Sequence, residues 1–182
     1  MGTNKQLMQA GEWYIPDDPE LGADTERRTA LCAAYNAETR GDQQRAILGE
    51  LLGGFGERAC VRAPFYCDYG YNITIGARTF INFNAVLLDA APITIGADVQ
   101  IATNVQLLTP THELDAERRR AGWEKALPVT IGDNVWLGGG VIVCPGVTIG
   151  ENTVVGAGSV VTRDLPSGVL AVGNPARIVR EL

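Results

Sequence analysis

The chain has 182 residues, 46% of them apolar and 20% charged, which fits one compact domain with a small appendage. A formal charge of −6 and a pI near 4.8 argue against a nucleic-acid partner, because phosphate binding needs a basic face. No apolar run nears the roughly 18 residues of a membrane span and MGTNKQLMQAGEW lacks the apolar core of a secretory signal, so a cytoplasmic chain with no membrane partner is expected.

In chain order, residues 24–52 predict two helices. Asp24 is positioned to cap the first, along which Arg27, Leu31, Ala34 and Tyr35 keep helical spacing. Gly41-Asp42 separates it from a second helix carrying Ile47, Leu48, Leu51 and Leu52, and Gly53-Gly54 ends that one. Cys32, Cys60, Cys67 and Cys144 have neither CxxC nor metal-ligand spacing, so four reduced thiols and no metal are expected.

A six-residue period then takes over. From Ile131 the chain divides without a gap into IGDNVW, LGGGVI, VCPGVT, IGENTV, VGAGSV and VTRDLP, each opening on an aliphatic residue, and earlier runs read IGARTF-INFNAV and IGADVQ-IATNVQ. Such a period fits neither an α-helix nor a hairpin; it describes a short strand and a tight turn, repeated. The aliphatic residue points inward, the glycine beside it is expected to turn the corner, and Val and Thr suit the strands. Three hexads close one triangular coil, and stacked coils share a continuous core. The coils fall at about 57–74, 75–94, 95–130, 131–148 and 149–166, with two extra residues in the second around Ala91-Pro92. The third is interrupted between Leu108 and Val129 by TPTHELDAERRRAGWEKALP, a polar segment that must leave the prism as a loop and that carries the sole histidine, His112. SGVLAVGNPARIVREL closes the chain as a final strand and a short terminal segment.

The hexads resemble those of the hexapeptide-repeat proteins, which implies left-handed winding where the general crossover rule favours the right hand. AGEWYIPDDPEL, FYCDYGYNITIG, FINFNAVLLD, TPTH, NVWLGGGVIVCPGVTIG and VGNPARIV run in the order found in the maltose and galactoside O-acetyltransferases, and the likeness spans essentially the whole chain. It is nearest to the maltose enzymes. The expected fold is therefore mainly β: a helical N-terminal segment, 1–56, and a left-handed parallel β-helix acetyltransferase domain, 57–182, with an inserted loop at about 109–128.

The resemblance implies transfer of acetyl from acetyl-CoA to a sugar hydroxyl, with no metal, in a homotrimer whose sites lie between subunits. His112 is the general base it implies, since an alcohol is scarcely ionised at neutral pH and imidazole can accept its proton. In the family a proline commonly follows this histidine; here Glu113 does, which is expected to leave His112 more mobile and to favour imidazolium. Asn82 is implied in the active site, to hold the acceptor or stabilise charge, whereas Asn84 reads as structural. Asp68 stands where the galactoside enzyme has a sugar-contacting serine, and Asp17, Asp18, Tyr69 and Asp89 are further acceptor candidates, with Asp17 and Asp18 equally able to cap or solvate the N-terminal segment. For CoA the likeness points to Trp136 beside its arm, Gly139 as oxyanion donor through its N–H, Ala157 against the pantetheine, and Thr162, Arg163, Arg177 and Arg180 at the phosphates. Three readings compete. An antibiotic O-acetyltransferase would share fold and mechanism; a zinc carbonic anhydrase of this fold needs three histidines; a non-catalytic scaffold would not need the His112, Asn82 and Trp136 constellation.

Overall fold

A computed structural model describes residues 3–182, and its strands stack in three parallel sheets, one on each side of a triangular coil. The first face holds β1 (Gly54–Phe55), β4 (Ile73–Ile75), β7 (Ile93–Ile95), β12 (Val129–Ile131) and β15 (Thr148–Ile149). The second holds β2 (Cys60–Val61), β5 (Phe80–Ile81), β8 (Gln100–Ile101), β13 (Trp136–Leu137), β16 (Val154–Val155) and β18 (Val169–Val172). The third holds β3 (Phe65–Cys67), β6 (Ala85–Leu88), β9 (Gln106–Leu108), β14 (Ile142–Val143) and β17 (Val160–Val161).

Register explains the core. Phe55, Ile75, Ile95, Ile131 and Ile149 pair in sequence on one face, and Leu87, Leu107, Val143 and Val161 on another; all but Phe55 are buried. Each fully buried Ile, Leu or Val contributes roughly 1.5–3 kcal/mol relative to exposure, so the stacked columns hold the prism together. The first turn carries an expansion between Cys67 and Ile73 like the one legible around Ala91-Pro92 in the second, and it wraps the buried carboxylate of Asp89.

The corner chemistry differs from the sequence expectation. The left-handed backbone falls not on the hexad's second residue but on its fourth: Arg78, Asn84, Asp98, Asn104, Asn134 and Asn152 have φ of 59, 62, 59, 60, 55 and 59°, and Gly140, Gly146 and Gly158 take the same place. Asn and Asp tolerate this region better than most side chains. The second-position glycines answer a different need. A Cβ on Gly132 would lie 2.6 Å from the Glu151 nitrogen and one on Gly138 2.5 Å from the Ala157 nitrogen, so these residues are glycine because successive coils pack backbone to backbone.

At the N-terminus, α1 (Asn4–Gln9), which the sequence reading did not anticipate, begins in a capping box of Thr3 and Gln6. α2 (Pro19–Ala37) starts earlier than expected, because Asp18 caps two N–H groups ahead of a proline at the first helical position; Asp24 lies inside the helix, accepting from the Tyr71 hydroxyl and pairing with Lys5. α3 (Gly41–Leu51) begins on Gly41 itself. α2 lies over the first coil, where the Tyr35 hydroxyl donates to the Val61 carbonyl and Asn36 exchanges two hydrogen bonds with Phe65. These contacts cover strand edges that would otherwise offer unpaired backbone. All four cysteines are free, with the Cys32 and Cys67 sulfurs 3.7 Å apart.

The interruption at 109–128 is more ordered than a loop: β10 (Pro110–His112) and β11 (Glu124–Ala126) form an antiparallel hairpin tipped by α4 (Ala116–Arg120). At the far end β19 (Arg177–Glu181) folds back antiparallel on β18. No helix among the described residues is long and apolar enough to cross a membrane.

Candidate active site

A coil brings chemistry to its corners, and the expected site residues divide between two of them. Leaving the third face, the chain passes Asp68 in the first coil, His112 in the third, and Thr162 and Arg163 in the fifth. Leaving the second face, it passes Asn82, then Gly139, then Ala157, with Trp136 on the strand leading into that corner. Within one chain the third face lies between the two sets: the strand Ala85–Leu88, about 13 Å long, runs from the turn at 82–84 to the first corner.

At the first corner a cavity of about 300 Å³ opens between Pro16, Asp68, Tyr69, His112 and Glu124. His112 ends β10 directly across from Glu124 and is exposed to the cavity. The Tyr14 ring is buried and its hydroxyl donates to the Glu124 carboxylate; burial and that bond raise the phenol above its usual range, so it stays a donor. Asp68 is pushed up to about 6, chiefly by burial and then by the charges of Asp89 and Glu124, with the Arg28 guanidinium opposing. Asp89 does not face the cavity. It is fully buried, and its oxygens accept from the N–H groups of Asp68, Tyr69, Gly70 and Asn72 at 2.8–3.2 Å, so it supports the turn that carries Asp68 and Tyr69. Asp17 is exposed beside Pro16 and outside the cavity lining.

At the second corner Asn82 and Trp136 line a smaller depression of about 170 Å³ with Phe80, Gln100 and Ala102. Trp136 is 54% exposed, on a ladder that continues through Val154 and Leu170 to Arg180. At about 4.8 Å per strand that stripe runs about 14 Å, a length suited to an extended ligand. The backbone N–H groups of Gly139 and Ala157 donate to nothing among the described residues, so both are free to meet a ligand. A Cβ on Gly139 would find its nearest neighbour at 3.5 Å, so packing alone does not demand glycine there. Asn84 sits in the left-handed region with its N–H on the Pro64 carbonyl, a turn residue.

Residues 7–56 match the maltose acetyltransferase hexapeptide capping motif, and residues 128–163 match six bacterial transferase hexapeptide repeats. Nodulation protein L of Rhizobium meliloti (strain 1021) is 51% identical over 97% of this chain and 97% of its own length. This chain belongs to the maltose/galactoside family of hexapeptide-repeat acetyltransferases. Among solved structures, a maltose O-acetyltransferase from Clostridium difficile 630 superposes with a TM-score of 0.98 at 43% identity, covering 100% of this chain and 98% of that one. Galactoside acetyltransferase in complex with coenzyme A superposes at 0.95 with 37% identity, covering 100% and 92%. The solenoid of this family member is accordingly the left-handed parallel β-helix.

Two features of this acetyltransferase escaped the sequence reading. Glu124 and its partner Tyr14 line and brace the His112 cavity from an insertion and a segment that no hexad organises, and only the AGEWYIP run hinted at either. Glu113 is also not a loose substitute for proline. Its carboxylate pairs with Arg118 at 3.1 Å, and the Arg119 guanidinium donates to its carbonyl at 2.9 Å.

Proposed function

We propose that this acetyltransferase moves the acetyl group of acetyl-CoA to the hydroxyl of a sugar of the maltose, glucose or galactoside type. The observation that carries the reading is the cavity joining His112 to Asp68 and Glu124, a proton acceptor among acceptors for hydroxyl hydrogen bonds. His112 takes the proton as the sugar oxygen attacks the thioester carbonyl; the tetrahedral intermediate collapses, and CoA leaves as the thiolate. Both substrates are bound together, and no acetyl-enzyme forms. Asp68 and Tyr69 orient the acceptor, with Asp17 at the rim and Asp89 acting through the turn it braces. Coenzyme A in the galactoside acetyltransferase supports acetyl-CoA as the donor. For it this chain offers the exposed Trp136, the free N–H groups of Gly139 and Ala157, and Thr162, Arg163, Arg177 and Arg180 for the phosphates. The Gly139 N–H is aimed at the charge that develops on the thioester oxygen.

The division of these residues between two corners supports a site completed by a neighbour. In a closed homotrimer, a heterologous contact sets the His112 corner of one copy against the Asn82–Trp136 corner of the next, and Asn82 then reaches the acceptor. Four cysteines without disulfide-framework or metal-ligand spacing support a cytoplasmic location.

The test is thiol release from acetyl-CoA over a panel of maltose, glucose, a β-galactoside, chloramphenicol and a streptogramin, with wild type beside His112→Ala. Sugar-dependent release that falls at least 10²-fold in the variant is expected. Turnover with an antibiotic alone would replace the acceptor, and unchanged activity of His112→Ala would remove the base.

A further inference from the structure

The hairpin that presents His112 is one strand wider than it looks. Tyr14 bridges Glu124 in antiparallel fashion on the edge away from β10, so His112, Glu124 and Tyr14 lie across a three-strand ribbon. Successive side chains in extended chain point to opposite faces. His112, Glu124 and Tyr14 therefore share the front, where His112 and Glu124 line the cavity and Tyr14 is buried beside them. Their neighbours Glu113, Trp123 and Trp13 share the back.

One side chain joins all three at the back. The Arg118 Nε lies 3.1 Å from a Glu113 oxygen, and its guanidinium stands 5.6 Å from the Trp13 ring and 5.6 Å from the Trp123 ring. A planar cation can offer its edge to a carboxylate and its faces to indoles, which a lysine ammonium cannot do. The Glu113 side chain is only 18% exposed, which sets this pair apart from the solvated ion pair of Arg120 with Glu117, exposed at 68% and 81%. The base of the tip is fixed as well: Arg119 donates to the Glu113 and Leu114 carbonyls at 2.9 Å, and Asp115 caps α4.

We infer that Glu113 and Arg118 are positioning residues for His112: their ion pair, laid across Trp13 and Trp123, clasps the strand bearing the base to the N-terminal segment and does the stiffening that a proline does after this histidine elsewhere in the family. The inference rests on the reading of His112 as the general base. Each exposed cation–π contact shifts an open–closed equilibrium about two- to fivefold. Two of them with the ion pair hold the hairpin closed by more than an order of magnitude. Little of this touches global stability, because the hairpin projects from a solenoid whose core it does not fill.

The test is a cycle of Glu113→Gln, Arg118→Met and the double variant, read by kcat, the KM for acetyl-CoA, Tm, and hydrogen exchange across residues 108–127. Each single variant is expected to lower kcat about five- to tenfold, with KM for acetyl-CoA within about twofold and Tm within about 2 °C, and to speed exchange in β10. The double variant is expected to be no slower than the worse single, since the pair acts as a unit. A kcat within twofold of wild type, multiplying losses, or unchanged exchange overturns the proposal. His112→Ala separates the two readings. If it remains active the base assignment fails, while exchange in Arg118→Met still decides whether the clasp holds the strand.

Discussion

His112 stands directly across the hairpin from Glu124, and Glu124 is held in turn by the hydroxyl of the buried Tyr14. His112 and the carboxylate thus lie on one face of one ribbon, which the N-terminal segment borders through Tyr14. The N-terminal segment that matches the capping motif therefore shares in the geometry of a cavity built on the repeats. The cavity at His112 is bounded by Pro16 as well as by the solenoid.

Tyr14→Phe tests that link. The substitution deletes one donor and leaves the ring in place, and Glu124, being only half-buried, can recruit water. Stability is expected to fall by about 1–2 kcal/mol. The kcat/KM for the acceptor should drop about tenfold while the KM for acetyl-CoA holds. Urea unfolding with steady-state kinetics reads both, and an equal rise in the KM for acetyl-CoA would count against a local role.

Asp68 makes stability depend on pH in an unusual direction. Its carboxyl titrates near 6 in the folded protein, mainly because it is buried, against about 3.9 in an unfolded chain. Between these values the folded state binds more protons, so stability falls as pH rises from about 4 to 6 and the cost persists above 6. The effect is on the order of 1–3 kcal/mol, and Asp68→Asn should remove it. Urea midpoints of the two proteins across pH 4–7 should converge at the acid end; parallel profiles would refute the assignment.

Much of this was legible beforehand because a solenoid repeats its reasons. Ile75, Ile95, Ile131 and Ile149 occupy one column for one cause, so each hexad corroborates the next. The corner is hard to read from sequence because Gly and Asn serve different needs two residues apart: Gly132 for close approach of the next coil, Asn134 for left-handed backbone. Elements outside the period had no such corroboration. The start of α2 turns on Asp18 and Pro19, six and five residues before Asp24, where the sequence suggested a cap, and the Glu113–Arg118 contact depends on a helical tip that polarity alone suggested was loop. Asp89 was misplaced for a related reason. A carboxylate that gathers four backbone N–H groups and one that meets a sugar look the same in sequence.

Asp89→Asn should accordingly behave as a structural lesion that reaches the site. The amide can keep its carbonyl oxygen but turns an NH₂ toward two N–H donors, leaving buried groups unpaired at several kcal/mol. About 3 kcal/mol corresponds to a Tm drop of roughly 6–12 °C for a chain of this size. Acceptor KM should rise with it as the turn at Asp68 and Tyr69 loosens. A variant with wild-type Tm and a selective loss of acceptor binding would instead put Asp89 in contact with the sugar.

The paired variants Gly138→Ala and Gly139→Ala distinguish packing from chemistry at neighbouring positions. At Gly138 a methyl would meet the Ala157 backbone at 2.5 Å, which forces two coils apart. Overpacking of this kind costs about 1–3 kcal/mol, more where backbone must move. At Gly139 the nearest atom is the Thr103 carbonyl at 3.5 Å, an ordinary contact, so the fold should accept alanine with little change in Tm. If the free N–H of Gly139 meets the thioester oxygen, a methyl on the same residue crowds the approach, and kcat should fall about tenfold or more without loss of stability. Thermal unfolding and single-turnover acetyl transfer, run on both variants, give the two answers separately. Loss of activity in Gly138→Ala alone, with Gly139→Ala fully active, would assign this corner to architecture and send the search for the oxyanion donor to the Ala157 N–H.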